Sequence, residues 1–372
     1  MNYSQSDVKQ INRTNVLSLI AEKGSISRRD ICTILGSSMT TVLKISDYLE
    51  ERGWITVSGE ANTTRGRKPQ LLTFQPDRIK ALSIDYDGNR ALVAVCNYYG
   101  NELFFKEYSV SNDVVIFFQD NLPKIFKQTL KECNTVKDEL VGIGLCLPGA
   151  FSIDGSYSNI GPISKFQKRT EFSKEFKKFS SAIGIPMYCY NDVNACVCGE
   201  YSKRKDYGCK DLAFIYAGKG LGAGLIMDSK LRLGMHAMAG EVGYISYDPN
   251  YITSPKHPGW LESNLSKESL RERFPELKEG VISSSLVDYT AQYISLTIAN
   301  ISNMLDIQQF IVDGNLVRRL GEYGLKGRID YHTSRYCLLD VSVDKPICPH
   351  PSLTGLSELV ISKGLYDLVK AE

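Results

Sequence analysis

Apolar residues recur at helical spacing from Val8 to Lys23, where Ile11, Val16, Leu19 and Ile20 fall on one side and Gly24 ends the run. Ser27 opens a second helix, with Asp30 three residues on completing a capping-box pattern, and it stops at Leu35 and Gly36. After Gly36-Ser37-Ser38 a third helix turns Val42, Ile45 and Leu49 inward and ends at Gly53. Two strand-like runs follow, Trp54–Val57 and Gln70–Phe74, separated by a polar loop. Two short helices joined by a Gly-containing turn and followed by a hairpin have the outline of a winged helix-turn-helix.

From Ala81 the texture changes. Residues 81–87, 90–97 and 102–110 read as three strands, then a helix from Val114 to Cys133, a strand Val141–Leu147, a helix near 171–183 and a strand Met187–Tyr190. The order repeats. Asp211–Ala217, Leu221–Met227 and Lys230–Leu233 read as strands. A long helix carries Val287, Ala291, Ile294, Ile298, Ile301 and Leu305 on one face. Then come a strand Gln309–Asp313, a helix, a strand-like run Tyr336–Val341 and a final helix from about Leu353. A pattern written twice predicts two α/β lobes with a ligand cleft between them. The expected division is a DNA-binding head at 1–76, a first lobe at 77–195 and a second lobe at 196–352 that carries a dimerisation surface. The last helix, about 353–372, is expected to pack back on the first lobe.

Composition narrows this. The 372 residues are 43% hydrophobic and 23% charged, too apolar for a disordered chain. Net charge is +2, but residues 1–80 hold 12 Lys/Arg against 8 Asp/Glu, leaving 32 against 34 for the rest. A basic head on a near-neutral body excludes a polycation that coats nucleic acid throughout. The polar start lacks the apolar core of a secretion signal, and no run approaches the ~20 apolar residues of a membrane span. Ten scattered cysteines, several in apolar runs (Cys96, Cys146, Cys189), suit a reducing compartment, so a cytoplasmic location is expected. Cys196-Val197-Cys198 looks like half a metal site but has no second Cys/His pair at zinc spacing.

On the third helix, Thr40, Thr41 and Lys44 lie opposite the buried face, with Ser38 at its start. Arg65, Arg67 and Lys68 cluster around Gly66 before the hairpin's return strand. These seven side chains are the candidate contacts to base edges and phosphates. A small helical protein-interaction domain with solvated charges is the alternative. In the body three segments could carry chemistry. Ala217–Gly224, with Gly218, Gly220 and Gly222, allows close backbone approach to a phosphate or sugar; equally it is a structural hairpin. Tyr190-Asn191-Asp192-Val193-Asn194 places a carboxylate and an amide where a strand meets a helix, as a possible general base and hydroxyl ligand or as a helix cap. Ala239-Gly240-Glu241-Val242-Gly243-Tyr244 and Gly259-Trp260-Leu261-Glu262 add two carboxylates on glycine-bearing loops.

Taken together, Ala217–Leu225 through Gly240–Gly243, Gly142–Leu145 to Pro148-Gly149, and Asn191–Asn194 resemble the ROK family (repressors, open reading frames and sugar kinases), in its branch of xylose and N-acetylglucosamine repressors. The resemblance covers nearly the whole chain. It implies an actin-like, hexokinase-type α/β body behind the winged head, with a sugar in the interlobe cleft. The implied sugar ligands are Asn191, Asp192, Glu241, Glu262, Tyr244 and Gly149, with Asp192 in the place of the kinases' catalytic base. Gly218, Gly220 and Gly222 become a vestigial phosphate loop. The departures point the other way for catalysis. The kinases' Asp-x-Gly-Gly-Thr loop reads Asp85-Tyr86-Asp87-Gly88-Asn89 here, placing a carboxylate where ATP phosphates belong. Val312–Asn315 and Thr354–Leu356 also depart from the kinases' nucleotide contacts. Tyr244 stands in a slot that usually holds His, and Thr253, Pro255 and Trp260 fill three cysteine slots of a zinc loop, leaving His257 unable to rebuild a four-ligand site. The expectation is therefore a sugar-responsive repressor without metal, cofactor or catalysis. It would bind a two-fold symmetric operator as a homodimer or tetramer. A sugar kinase with an added DNA-binding head, and a DNA-binding scaffold with a dead cleft, are the alternatives.

Overall fold

The computed structural model describes residues 5–60, 70–147, 150–151, 157–159, 169–218, 220–252 and 259–369. Its first unit holds three helices, α1 (Gln5–Lys23), α2 (Arg28–Leu35) and α3 (Met39–Glu51). The capping logic at α2 is met: Ser27 Oγ accepts from the Asp30 amide at 3.2 Å and donates to the Asp30 carboxylate at 2.6 Å. Gly36 ends α2 at φ +62°, a left-handed position that suits a residue without Cβ. Val42, Ile45 and Leu49 face inward as their spacing requires, joined by Val16, Leu17 and Ile20 of α1. Three antiparallel strands complete the unit, β1 (Ser25–Ser27), β2 (Ile55–Glu60) and β3 (Gln70–Phe74), in the order β1-β3-β2. β1 has no sequence signature because three residues are too few to show an alternation.

The body repeats one topology. Strands β4 (Lys80–Tyr86), β5 (Arg90–Asn97) and β6 (Glu102–Ser109) form an antiparallel meander, and β7 (Leu140–Leu147) lies parallel to β4. A short ribbon, β8 (Ala150–Phe151) with β9 (Tyr157–Asn159), precedes β10 (Met187–Asn191), which is parallel to β7. The second sheet copies this order with β11 (Leu212–Ala217), β12 (Leu221–Met227), β13 (Lys230–Leu231), β14 (Gln309–Asp313) and β15 (Ser342–Asp344). The sheet orders are β10-β7-β4-β5-β6 and β13-β12-β11-β14-β15. The larger apolar cluster of each lies around Ile84, Val93 and Phe117 in the first and Ile215, Ile298 and Phe310 in the second.

Two expectations need correction. The run Tyr336–Val341 is not a strand: Tyr336 ends the helix Leu325–Tyr336, and the ladder begins only at Ser342, opposite Gln309. A short apolar run at a helix end reads like an edge strand, and the ring of Tyr336 stacks on His332 one helical turn back instead. The predicted Val114–Cys133 helix is broken by a π-helical turn, Phe117–Asn121, before Leu122–Glu132, where Pro123 supplies no amide to an α-helical ladder.

Two helices carry the chain between the sheets. One, Asp192–Ser202, follows β10; the other is the C-terminal helix, Pro351–Leu368. They cross at backbone contact. A Cβ on Gly355 would sit 1.8 Å from the Ala195 carbonyl oxygen, and one on Gly199 2.0 Å from that of Pro351. The far end of the C-terminal helix lies under the first unit: Gln10 Nε2 donates to the Tyr366 carbonyl at 2.5 Å and Arg13 to that of Val369 at 3.0 Å. The apolar core of the first unit accordingly continues through Ile79, Ala81, Val141, Val360, Ile361 and Leu365. Among the described residues no helix is long and apolar enough to cross a membrane.

Candidate functional site

The carboxyl ends of the parallel strands gather the candidate chemistry. Asp85 of β4, Cys146 of β7 and Tyr190 of β10 stand side by side in register, and Asn191 ends β10. This edge of an open α/β sheet is where ligands usually bind. Asn191 caps the following helix, its Oδ1 accepting from the amides of Val193 at 2.9 Å and Asn194 at 3.0 Å. Asp192, the first residue of that helix, also accepts from the Val193 amide at 2.9 Å. The helix-cap reading of this segment is thus real, and it fixes the direction in which the Asp192 carboxylate is presented.

The carboxylates form a mutually repelling group. Burial, then the charge of Asp85, push the Asp192 carboxyl up to about 7, and Glu241 adds to the effect. Burial also raises Asp85, opposed by the Ser352 hydroxyl, which donates to Asp85 Oδ2 at 2.5 Å. Glu241 and Glu262 are raised by burial as well, Glu262 being partly relieved by the Leu221 amide. The thiols of Cys146, buried, and Cys196, half-buried, and the phenol of Tyr216 near the end of β11, are pushed up first by desolvation and further by Asp85 and Asp192. These thiols stay protonated at neutral pH and are poor nucleophiles. Across from this group, Asp313 ends β14 beside Tyr216 and is held by Arg318 in a two-pronged pair, Nε and a terminal nitrogen at 2.7 and 2.6 Å.

Gly218 and Gly220 lie between β11 and β12, with the Gly218 amide donating to the Gly220 carbonyl at 2.9 Å, and Gly222 is already within β12, paired with Tyr216. Gly220 lies beside the Glu262 carboxylate, and Gly222 packs on Val193 of the Asp192 helix. Glu262 is on a short helix, Trp260–Leu265, not on a loop. Gly243 and Gly259 make room for that helix, since a Cβ on Gly243 would meet Glu262 Oε2 at 2.9 Å. Glu241 begins a 3-10 turn, Val242–Tyr244, anchored to β12 where the Ala223 amide donates to the Gly240 carbonyl at 2.7 Å. Tyr244, at the end of that turn, is exposed. Gly149 lies outside the described residues.

The sequence therefore brings Asn191, Asp192, Glu241 and Glu262 into one region. It missed Ser352, Tyr216 and the Asp313–Arg318 pair. Nothing in the local sequence marks Ser352, because only the returning helix brings it to Asp85.

The segment in the phosphate-loop position is filled from within. Asp87 Oδ1 accepts from the amides of Asn89 at 3.1 Å and Arg90 at 3.2 Å, and Oδ2 accepts from Arg90 Nε at 3.0 Å. Backbone amides in such a turn otherwise form an anion nest. The zinc of related loops does not fit the third of its slots: Trp260 packs its ring against Tyr247 and Tyr293, both at 5.5 Å. Residues 253–258 lie outside the described residues, and no cluster of three metal-ligating side chains occurs among those described.

In the first unit, Ser38 caps α3, its Oγ accepting from the Thr41 amide at 3.2 Å and lying 2.9 Å from Thr41 Oγ1. Thr40 and Lys44 are exposed on the outer face of α3, with Met39 and Leu43 beside them. Arg28 donates from α2 to Ser46 of α3 at 2.8 Å, fixing the two helices. Arg65, Arg67 and Lys68 lie outside the described residues.

The sequence profile of the ROK family matches residues 81–324. A xylose repressor of Caldicellulosiruptor bescii is 30% identical over 279 residues, covering 74% of this chain and 68% of that protein. Among solved structures, a ROK family transcriptional regulator, described as a homologue of the E. coli MLC protein, superposes with a TM-score of 0.73. It is 20% identical and covers 98% of both chains. A ROK hexokinase from Thermus thermophilus superposes at 0.61 with 17% identity, covering 78% of this chain and all of the other. The body has the actin-like, hexokinase-type fold.

Proposed function

Since the chain belongs to the ROK family, we propose that it is a sugar-responsive transcriptional repressor acting in the cytoplasm. Residues 1–76 form a winged helix-turn-helix whose α3 enters the major groove of operator DNA, with Thr40, Thr41 and Lys44 at the bases and Arg65, Arg67 and Lys68 on the adjoining wing. A homodimer, or a dimer of dimers, presents two such heads to a two-fold symmetric site. The effector sits against Asn191, Asp192, Glu241, Glu262, Tyr244 and Gly149. The observation that carries this reading is the asymmetry of the cleft. The sugar-side carboxylates are gathered and half-buried, while in the phosphate-loop position the amides of Asn89 and Arg90 are already taken by Asp87.

Fluorescence anisotropy of the protein on the DNA upstream of its own gene, at fixed salt and with a sugar panel, tests it. Because its 30% identical relative is a xylose repressor, aldopentoses head the panel. Tight binding relieved by one sugar is expected; binding that no sugar alters favours the scaffold. The kinase reading predicts ADP release with hexoses or their N-acetyl forms, and none above background is expected. Replacing Arg65 and Arg67 together by alanine is expected to weaken operator binding and flatten its salt dependence by about one unit of slope per lost phosphate contact. An unchanged slope moves the wing off the DNA.

Effector binding should also depend on pH. A sugar hydroxyl donated to Asp192 favours the ionised carboxylate, and burial holds that carboxyl near 7. Sugar affinity is therefore expected to rise roughly tenfold between pH 6 and pH 8, as the ionised fraction grows. Asp192→Asn should flatten the profile. Calorimetric titration at four pH values reads this, and a flat wild-type profile removes Asp192 from the contact.

A further inference from the structure

The C-terminal helix touches each part of the molecule that a sugar-responsive repressor has to connect. At its start, Ser352 Oγ donates to Asp85 at the edge of the carboxylate group. The segment just before it is fastened twice. Glu200, fully buried in the Asp192–Ser202 helix, accepts from the amides of Ile347 at 3.1 Å and Cys348 at 2.8 Å. His350 stacks on Phe105 of β6 at 4.0 Å and lies 2.9 Å from the Glu102 carboxylate. One turn in, Gly355 and Gly199 bring two helices together without intervening side chains, so that neither slides without moving the other. The partner in that crossing is the helix whose first turn presents Asp192.

At the other end, the Val369 carbonyl accepts from Arg13 of α1 at 3.0 Å and from the Tyr48 hydroxyl of α3 at 3.4 Å. The Tyr48 ring lies between two guanidinium groups, Arg13 at 3.5 Å and Arg52 at 3.8 Å. Tyr48 belongs to the helix that presents Thr40, Thr41 and Lys44. Eighteen helical residues span about 27 Å.

We propose that this helix is the coupling element between cleft and head, with Ser352 as the positioning residue at the cleft end and Arg13 and Tyr48 as the positioning residues at the head end. The inference rests on the reading of the chain as a sugar-responsive repressor. An effector that engages Asp192 moves the start of the C-terminal helix through the glycine crossing, and the Ser352–Asp85 bond ties that start to the first sheet. The helix delivers that shift to Val369, and Arg13 and Tyr48 pass it to the angle of α3. Such coupling shows as a ratio of operator affinities with and without sugar, ordinarily five- to 150-fold.

Two measurements on the full-length chain test this. The first is that ratio for wild type, Ser352→Ala and Tyr48→Phe. Both variants are expected to keep operator affinity without sugar, and sugar affinity, within about threefold, while the ratio falls at least fivefold or to one. A wild-type ratio in either variant overturns the role of that residue. The second is hydrogen exchange without sugar or DNA, which stands even if no effector is found and so separates failure of this inference from failure of the functional reading. Ser352→Ala is expected to speed amide exchange at least threefold in residues 8–20 of α1, at the opposite end of the helix. Unchanged exchange there overturns the coupling. Intact cooperative melting of the variants excludes simple unfolding.

Discussion

Gly355→Ala is expected to cost about 4 kcal/mol or more of stability, or to prevent the two lobes from assembling. The new methyl carbon would start 1.8 Å from the Ala195 carbonyl oxygen and 2.7 Å from the Gly199 nitrogen, both on helix backbone that cannot rotate aside. Losses of that size belong to the small class of substitutions that dislocate a core rather than trim it. Helix propensity alone predicts the reverse, since alanine in a helix interior is about 1 kcal/mol better than glycine. Gly327 supplies the control. It lies inside the Leu325–Tyr336 helix, exposed, and a methyl group added there would meet no atom within 4 Å. Gly327→Ala, in the first turn of that helix, is expected to raise stability by up to about 1 kcal/mol. Urea unfolding of the two variants side by side checks both signs. A Gly355→Ala protein as stable as wild type would mean that the two helices do not cross as closely as described.

Asp192→Ala is expected to abolish the sugar response while leaving operator binding intact. A hydrogen bond to a charged group contributes about 1.5–3 kcal/mol, so losing one weakens sugar binding by roughly 10- to 150-fold, and more if the carboxylate meets two hydroxyls. The same substitution should make the empty protein more stable at neutral pH. Burial and Asp85 raise the Asp192 carboxyl from its ordinary 3.8 to about 7. The folded state therefore holds a proton that the unfolded chain has released, and stability falls as pH rises from about 4 to about 7. Removing the carboxylate removes that loss, so the difference in melting temperature between variant and wild type should widen across this window. A site that weakens the fold in order to hold a ligand is a common exchange of stability for function. A variant that still answers to sugar would move the effector elsewhere; one less stable than wild type at pH 8 would give Asp192 a structural role.

Most of the framework is legible in the sequence because its signals are local. Repetition of strand and helix patterns along the body is enough to predict two copies of one sheet, and the cap at Ser27 follows from residue type and spacing. Asn191 shows where this kind of reasoning divides. Its sequence context fits a helix cap and a sugar ligand equally, and the cap is present, with Oδ1 accepting from two amides of the following helix. Ser352 shows where it ends. It is an ordinary serine 267 positions from its partner Asp85, joined to it only by the path of the last helix. Glu262 reads as a loop residue because a six-residue helix has too little periodicity to announce itself.

The unbroken core beneath the head bears on how such proteins can be recombined. Phe74, the last residue of β3, packs edge-on against Tyr98 at 4.7 Å and Tyr99 at 5.7 Å of the body. Tyr99 in turn donates to the Ala21 carbonyl of α1 at 2.7 Å. A chimera spliced after residue 76 would therefore cut through a hydrophobic interior and strip α1 of the helix end on which it rests. Exchanging the reading head between relatives calls for moving the β5–β6 corner and the last two turns of the C-terminal helix with it, so that the unit of inheritance is a discontinuous surface and not a stretch of sequence.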